Sequence, residues 1–244
     1  MTPLTLFCLP YAGGNKYSYR CFEKEMPSDL KMITLEYPGR GTRINESLVT
    51  DINLLADDIV NQIENYFPSS RYALYGHSMG GLIVYLASIK IVKKGILPPV
   101  HLIITGTCAP SSLSRDGKKR HLLGKKDFVD ELIKLKGSPT EVLQNPELLD
   151  YFEPILRADF QASENYLYEI TGPLNIPLLI ITGTEETMQE DEIISWKNET
   201  TASTEFIKLP GDHFFILQVP EKVISIISTN LVKAQTLDQP IWNR

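Results

Sequence analysis

Tyr72-Ala73-Leu74-Tyr75-Gly76-His77-Ser78-Met79-Gly80-Gly81 is the stretch that decides how the rest of the chain is read. Its first four residues form a compact apolar run that reads as a strand. From Gly81 to Lys93 an apolar helical pattern follows, ending near Gly95. Between the two lies G-x-S-x-G, so Ser78 falls on a sharp strand-to-helix turn. Glycines at 76 and 80 let neighbouring backbone pass close by without a Cβ in the way, and the turn lifts the serine hydroxyl above the C-terminal edge of a sheet. The helix begins at that point, so the Met79 N–H is a candidate donor to a developing oxyanion. A chance G-x-S-x-G is common; the strand before it, the helix after it and the third glycine make this one specific.

The same alternation runs through the rest of the chain. Strands are expected at Thr5–Leu9, Lys31–Glu36, His101–Thr105, Leu178–Thr182 and Glu205–Leu209. Helices are expected over about 16–26, 190–199 and 220–233. A long amphipathic helix is expected over about 48–67, where Leu48, Ile52, Leu55, Ile59 and Ile63 recur at three-to-four spacing. Strands alternating with helices imply an α/β protein with a mostly parallel sheet flanked by helices. The 244 residues are expected to form a single domain, with 43% hydrophobic and 22% charged residues as in soluble globular proteins. Between the fourth and fifth strands, about 107–176 reads as helix and loop without a strand. Leu132, Leu135 and Val142, then Leu148, Leu149, Phe152 and Ile155, supply amphipathic faces. An insertion of that size suggests a helical lid.

Composition narrows the partners. The net charge is −6, from 24 basic and 30 acidic residues, and no long basic run exists, which argues against nucleic acid. The apolar stretches are too short to span a bilayer, and the opening MTPLTLFCLPYAGG lacks the marks of a signal peptide. Cys8, Cys21 and Cys108 are odd in number and widely spaced, which fits a reducing compartment and neither a disulfide framework nor a metal site. A cytoplasmic monomer is the expectation.

A strand–elbow–helix in an alternating α/β chain resembles the α/β-hydrolase fold, and that resemblance assigns places to the serine's partners. A serine hydroxyl needs a base. Of four histidines, His77 is adjacent to the serine and should point away, His101 opens a strand, and His121 lies in the insertion. His213, in Leu209-Pro210-Gly211-Asp212-His213, follows the last strand, where the fold places its base. The acid is expected after a strand between serine and histidine, and Gly183-Thr184-Glu185-Glu186 points to Glu186, with Glu185 and Asp191 as rivals. The alternative place, after the fourth strand, is closed because residues 104–114 contain no carboxylate. A second oxyanion donor is expected in the turn Pro10-Tyr11-Ala12-Gly13-Gly14, from Ala12 rather than Tyr11.

With these residues in place, nearly the whole chain resembles the type II thioesterases, the stand-alone editing enzymes of nonribosomal peptide and polyketide synthases. Leu6–Gly14, Glu36-Tyr37-Pro38-Gly39-Arg40-Gly41 and Tyr75–Gly81 are similar to that family's first three motifs. Gly137–Leu143 and Leu156-Arg157-Ala158-Asp159-Phe160 resemble its lid, and Gly211-Asp212-His213-Phe214-Phe215 its histidine segment. The resemblance implies hydrolysis of acyl thioesters from the phosphopantetheine arm of acyl or peptidyl carrier proteins, with no metal or redox cofactor. It also implies an aspartate in the G-x-x-D turn, where this chain has Glu186. Lys118, Lys119, Arg120, Lys125 and Lys126 gather positive charge in the insertion and suggest a docking patch for an acidic carrier. Two other readings share these motifs: a carboxylesterase or acyltransferase on small free substrates, and a non-catalytic carrier-binding module. The intact Ser78/His213 pair argues against the last.

Overall fold

Six apolar runs pair as one parallel sheet: β1 (Leu4–Leu9), β2 (Leu30–Thr34), β3 (Tyr72–His77), β4 (Leu102–Thr105), β5 (Leu178–Gly183) and β6 (Thr204–Leu209). Their order in the sheet is β2-β1-β3-β4-β5-β6. The computed structural model describes residues 3–66, 71–112, 117, 119–137 and 143–237. Strand side chains alternate between two cores. Phe7, Leu9, Leu74, Ile104 and Ile180 face α2 (Ile52–Asn65) and α3 (Met79–Lys93). Leu6, Cys8, Tyr75, Ile103 and Leu179 face Phe22 of α1 (Arg20–Glu23) and the apolar stripe of the final helix (Pro220–Leu237). Burial on both faces is why β3 and β5 are buried along their whole length rather than half-polar.

Local chemistry sets the helix ends, and there the structure departs from the expected bounds. The helix expected from about 48 begins at Ile52, because the Asp51 carboxylate accepts from the N–H groups of Asn53 (2.7 Å) and Leu54 (3.4 Å). The helix expected over 16–26 is only the single turn α1. Four-residue turns close Asn15–Ser18 and Tyr17–Arg20, and Tyr19 and Phe22 are wholly buried and stacked at 5.4 Å, so packing sets this segment rather than helical periodicity. The helix expected over 190–199 divides into an α-helix at Glu190–Ile194 and a 3-10 turn at Ser195–Glu199. The indole of the buried Trp196 donates there to Thr107 O (3.1 Å).

Residues 107–176 contain no strand among those described, only an isolated bridge between Leu174 and Thr200. They carry a 3-10 turn at Arg120–Leu122 and the helices α4 (Lys125–Leu135) and α5 (Pro146–Glu164). Asn145 caps α5 and Pro146 occupies its first turn. Phe128, Leu132 and Leu156 form a small core of their own, with the Arg157 guanidinium 4.2 Å from the Phe128 ring. Val142 lies outside the described residues. No helix among the described residues is long and apolar enough to cross a membrane.

Candidate active site

The turns that leave the C-terminal ends of β1, β3, β5 and β6 meet above the sheet. The sheet order reverses at β1 and β3, so the turns after these two strands diverge and open a crevice between them. Ser78 sits there with φ +54° and ψ −120°, a conformation costly for any residue bearing a Cβ. Two glycines make it possible. A Cβ on Gly76 would stand 2.2 Å from Gly80 O, and one on Gly80 would stand 2.3 Å from Leu9 O. The Ser78 N–H continues the sheet's pairing by donating to Thr105 O (2.8 Å), so the strained turn is anchored to β4.

His213 stands over the serine, with its Nε2 3.1 Å from Ser78 Oγ. On the other side of the ring, Nδ1 lies 2.7 Å from Glu186 Oε1, and the Glu186 Oε2 accepts from Gly183 N–H at 2.7 Å. Glu186 is nearly buried, with 4% side-chain exposure, whereas Glu185 and Asp191 are exposed. The two loops are stitched together by backbone bonds, Thr184 N to Leu209 O (2.9 Å) and Glu185 N to Gly211 O (3.0 Å). Asp212 secures the next turn. Burial opposes its charge, but hydrogen bonds from Lys136, the Phe214 N–H and Gln218 outweigh that and hold its carboxyl below the usual range.

His77 points into the core as expected, yet its ring lies 4.8 Å from the His213 ring. Its Nδ1 is 3.0 Å from Thr105 Oγ1. Burial, and then the neighbouring His213, push it well below the ordinary histidine range and keep it neutral beneath the serine's partner. His101 is buried at the start of β4, and His121 pairs with Glu164 (2.7 Å), so neither reaches Ser78.

In front of Ser78 and His213 lies a cavity of about 490 Å³. Its lining includes Tyr11, Ala12 and Phe214 and, from the insertion, Leu132, Leu156 and Phe160 with the more polar Arg120, Ser163 and Glu164. Met79 opens α3, and the first N–H groups of a helix have no acceptor within it. In the turn after β1, Gly13 N–H is taken by Asp159 Oδ2 (2.7 Å) and Gly14 N–H by Tyr11 O (2.8 Å), whereas Ala12 lines the cavity.

The basic cluster of the insertion, suggested by the sequence as a docking patch, also makes contacts within the insertion. Arg120 pairs with Glu164 (3.2 Å) and Glu131 (3.6 Å), Lys119 donates to Glu164 O and Asn165 Oδ1 (2.9 Å each), and Lys125 pairs with Asp150. These contacts tie the 3-10 turn and α4 to α5, while Lys119 and Lys125 remain exposed. Lys126 is exposed, and Lys118 lies outside the described residues, as do 138–142 of the lid motif. Sequence reasoning also missed the buried pair of Arg40 and Asp159 as site residues. Its signal was there: Asp159 falls on the apolar stripe of Ile155, Leu156 and Ala162, a place where a carboxylate needs a partner.

A serine on a strained turn at the C-terminal edge of this parallel sheet, with histidine and carboxylate in line, defines a serine hydrolase of the α/β-hydrolase fold. The family model described as the thioesterase domain matches residues 4–231. The gramicidin S biosynthesis protein GrsT of Aneurinibacillus migulanus is 30% identical over 229 residues, 93% of this chain and 89% of that protein. Among solved structures, ClbQ from the colibactin NRPS/PKS pathway superposes with a TM-score of 0.91 at 28% identity, covering 97% of this chain and all of that one. YbtT, a type II thioesterase from the yersiniabactin NRPS/PKS pathway, gives 0.86 at 28% identity over 96% and 94% of the two chains. The chain belongs to the thioesterase family.

Proposed function

We propose that this thioesterase hydrolyses acyl thioesters carried on the phosphopantetheine arm of acyl or peptidyl carrier proteins, clearing unproductive acyl groups from a nonribosomal peptide or polyketide synthase. The observation that carries the reading is the line Glu186–His213–Ser78 at the mouth of a cavity walled by the insertion. The similarity to GrsT, ClbQ and YbtT supports the pathway and the carrier-borne substrate.

Ser78 Oγ adds to the thioester carbonyl carbon while its proton passes to His213 Nε2, and Glu186 compensates the imidazolium charge. Backbone N–H groups of Ala12 and Met79 hold the oxyanion. Collapse breaks the C–S bond, and the departing sulfur takes the proton from Nε2. A water, deprotonated by the same nitrogen, then adds to the acyl-serine, releases the acid and restores Ser78. Residues 107–176 act as the lid that shapes the acyl chamber.

The test is hydrolysis of acetyl- and longer acyl-loaded carrier protein, with a simple oxygen ester as comparator. Release from the carrier that disappears in Ser78→Ala is the expected result. An enzyme that cleaves the ester but frees no acyl group from any carrier overturns the proposal.

A further inference from the structure

The turn that carries Ala12 is fixed atom by atom. Upstream, the hydroxyls of Tyr19 and Tyr37 donate to Leu9 O (2.8 Å) and Pro10 O (3.0 Å). Downstream, Asp159 Oδ2 accepts from Gly13 N–H (2.7 Å), and Arg40 Nη1 donates to Gly14 O (3.3 Å). Gly13 has φ +76°, and a Cβ there would stand 2.4 Å from Leu156 Cδ2, so α5 presses directly on the turn. Arg40 grips the same carboxylate with both terminal nitrogens, at 2.5 Å and 2.7 Å, and the pair is wholly enclosed, with 2% and 0% exposure for the two residues.

A buried ion pair is weak grounds for stability, since apolar residues of similar volume commonly serve as well or better. An apolar pair, however, cannot accept the hydrogen bond from Gly13 N–H. That bond draws the Gly13 amide away from the cavity and fixes the Ala12–Gly13 peptide. The adjoining Tyr11–Ala12 peptide, which carries the Ala12 N–H, is tied into the same turn by Gly14 N–H donating to Tyr11 O (2.8 Å), and Ala12 lines the cavity. Two segments distant in sequence, the turn at Arg40 and α5 of the insertion, thus converge on the turn after β1.

We propose that Asp159, held in place by Arg40, is a positioning residue for the oxyanion hole: it fixes the Gly13 peptide so that the Ala12 N–H faces the substrate carbonyl. It acts through the turn and touches no reacting atom. The insertion therefore sets the transition-state geometry as well as the shape of the chamber. The proposal rests on Ser78 as nucleophile and Ala12 as oxyanion donor.

The experiment compares wild type, Ser78→Ala, Asp159→Asn and the double variant Arg40→Met/Asp159→Leu on an acyl thioester. An alkylboronic acid serves as the tetrahedral analogue, and thermal unfolding monitors the fold. Asparagine offers one acceptor oxygen and a donor where three N–H donors must be met, so it forfeits a bond to Arg40 or to Gly13, and the grip on the turn with it, while keeping the shape. Displacement of an oxyanion donor predicts that kcat falls by about 10- to 100-fold, with KM within about twofold and boronate affinity weakened by the same factor as kcat. The pH profile keeps its wild-type midpoint, because His213 and Glu186 are untouched. The double variant restores the folded enzyme's unfolding temperature but not its kcat. Either recovery of kcat in the double variant, or a kcat and boronate affinity within about twofold of wild type in Asp159→Asn, overturns the proposal. A Ser78→Ala enzyme that still turns over would instead remove the reading of the site on which it rests.

Discussion

Replacing Glu186 by aspartate tests whether the longer acid is required by this loop. The Glu186 carboxylate spans two donors, His213 Nδ1 at 2.7 Å and Gly183 N–H at 2.7 Å. Aspartate is shorter by one carbon–carbon bond of about 1.5 Å, which leaves its oxygen about 4 Å from Nδ1, beyond hydrogen-bond range. The loop cannot follow easily, because Thr184 and Glu185 are tied by their N–H groups to Leu209 O and Gly211 O. A hydrogen bond to a charged group contributes about 1.5–3 kcal/mol, so Glu186→Asp should lower kcat/KM by about 10- to 150-fold. Glu186→Gln should cost more. If its amide nitrogen faces Nδ1, the imidazole must carry its proton on Nε2 and cannot accept from Ser78; if its oxygen does, the amide nitrogen meets the Gly183 N–H. The loss expected from such a wrong tautomer is about 10³- to 10⁴-fold. Steady-state release of thiol from an acyl thioester, with unfolding temperature as control, measures both. Wild-type turnover in Glu186→Asp refutes the argument from reach, and wild-type turnover in Glu186→Gln refutes Glu186 as the third member.

Two further predictions follow from burial and close approach. Burial depresses His101 to about 4, so it is neutral in the fold, whereas in the unfolded chain it takes up a proton near the ordinary value of 6.5. Its contribution is therefore present above pH 6.5 and is lost as pH falls towards 4. By then the loss reaches about 3 kcal/mol, which denaturant midpoints of wild type and His101→Leu between pH 7 and 4 measure; parallel curves sink the idea. At the elbow, Gly80→Ala sets a methyl 2.3 Å from Leu9 O and 2.7 Å from Pro10 O, both backbone atoms. Movement of the serine by about 1 Å is expected to cost about 100-fold in turnover, read by labelling with a fluorophosphonate; labelling at the wild-type rate contradicts it.

What could be read from the chain depended on how far apart the interacting residues lie. The elbow was legible because strand, serine and helix are contiguous over Tyr72–Lys93, and because glycines at 76 and 80 are required by backbone that passes within 3 Å. His213 and Glu186 were legible by their place after strand ends and by elimination among four histidines. The Arg40–Asp159 pair is separated by 119 residues, and no local pattern couples them. The local contacts of the basic residues in the insertion were not legible for a related reason. Arg120 and Lys125 pair with Glu164, Glu131 and Asp150, which come from other turns of the insertion, while Lys119 donates to Glu164 O and Asn165 Oδ1. The short α1 failed because aromatic burial of Tyr19 and Phe22, a tertiary effect, decided a segment whose composition allowed a longer helix.

The two halves of the site are also held by different parts of the molecule. Ser78, Glu186 and His213 hang on turns sewn to the sheet by backbone hydrogen bonds: Ser78 N to Thr105 O, Thr184 N to Leu209 O, Glu185 N to Gly211 O. Each of these bonds joins a strand end to its neighbour's and needs nothing from residues 107–176. The turn after β1 is held otherwise, since the acceptor for Gly13 N–H is a side chain of α5. If the site works as proposed, backbone bonds between strand ends set most of the proton-transfer line, with Lys136 of the insertion bonding Asp212 beside His213, while α5 bears on the turn proposed to hold the oxyanion. Because Leu156 and Phe160 line the cavity on either side of Asp159 in the sequence, the helix that lines the proposed acyl chamber is the same one that holds Gly13 N–H. On the proposed reading, chamber shape and transition-state geometry are coupled through α5, because Leu156 and Phe160 line the cavity within one turn of Asp159.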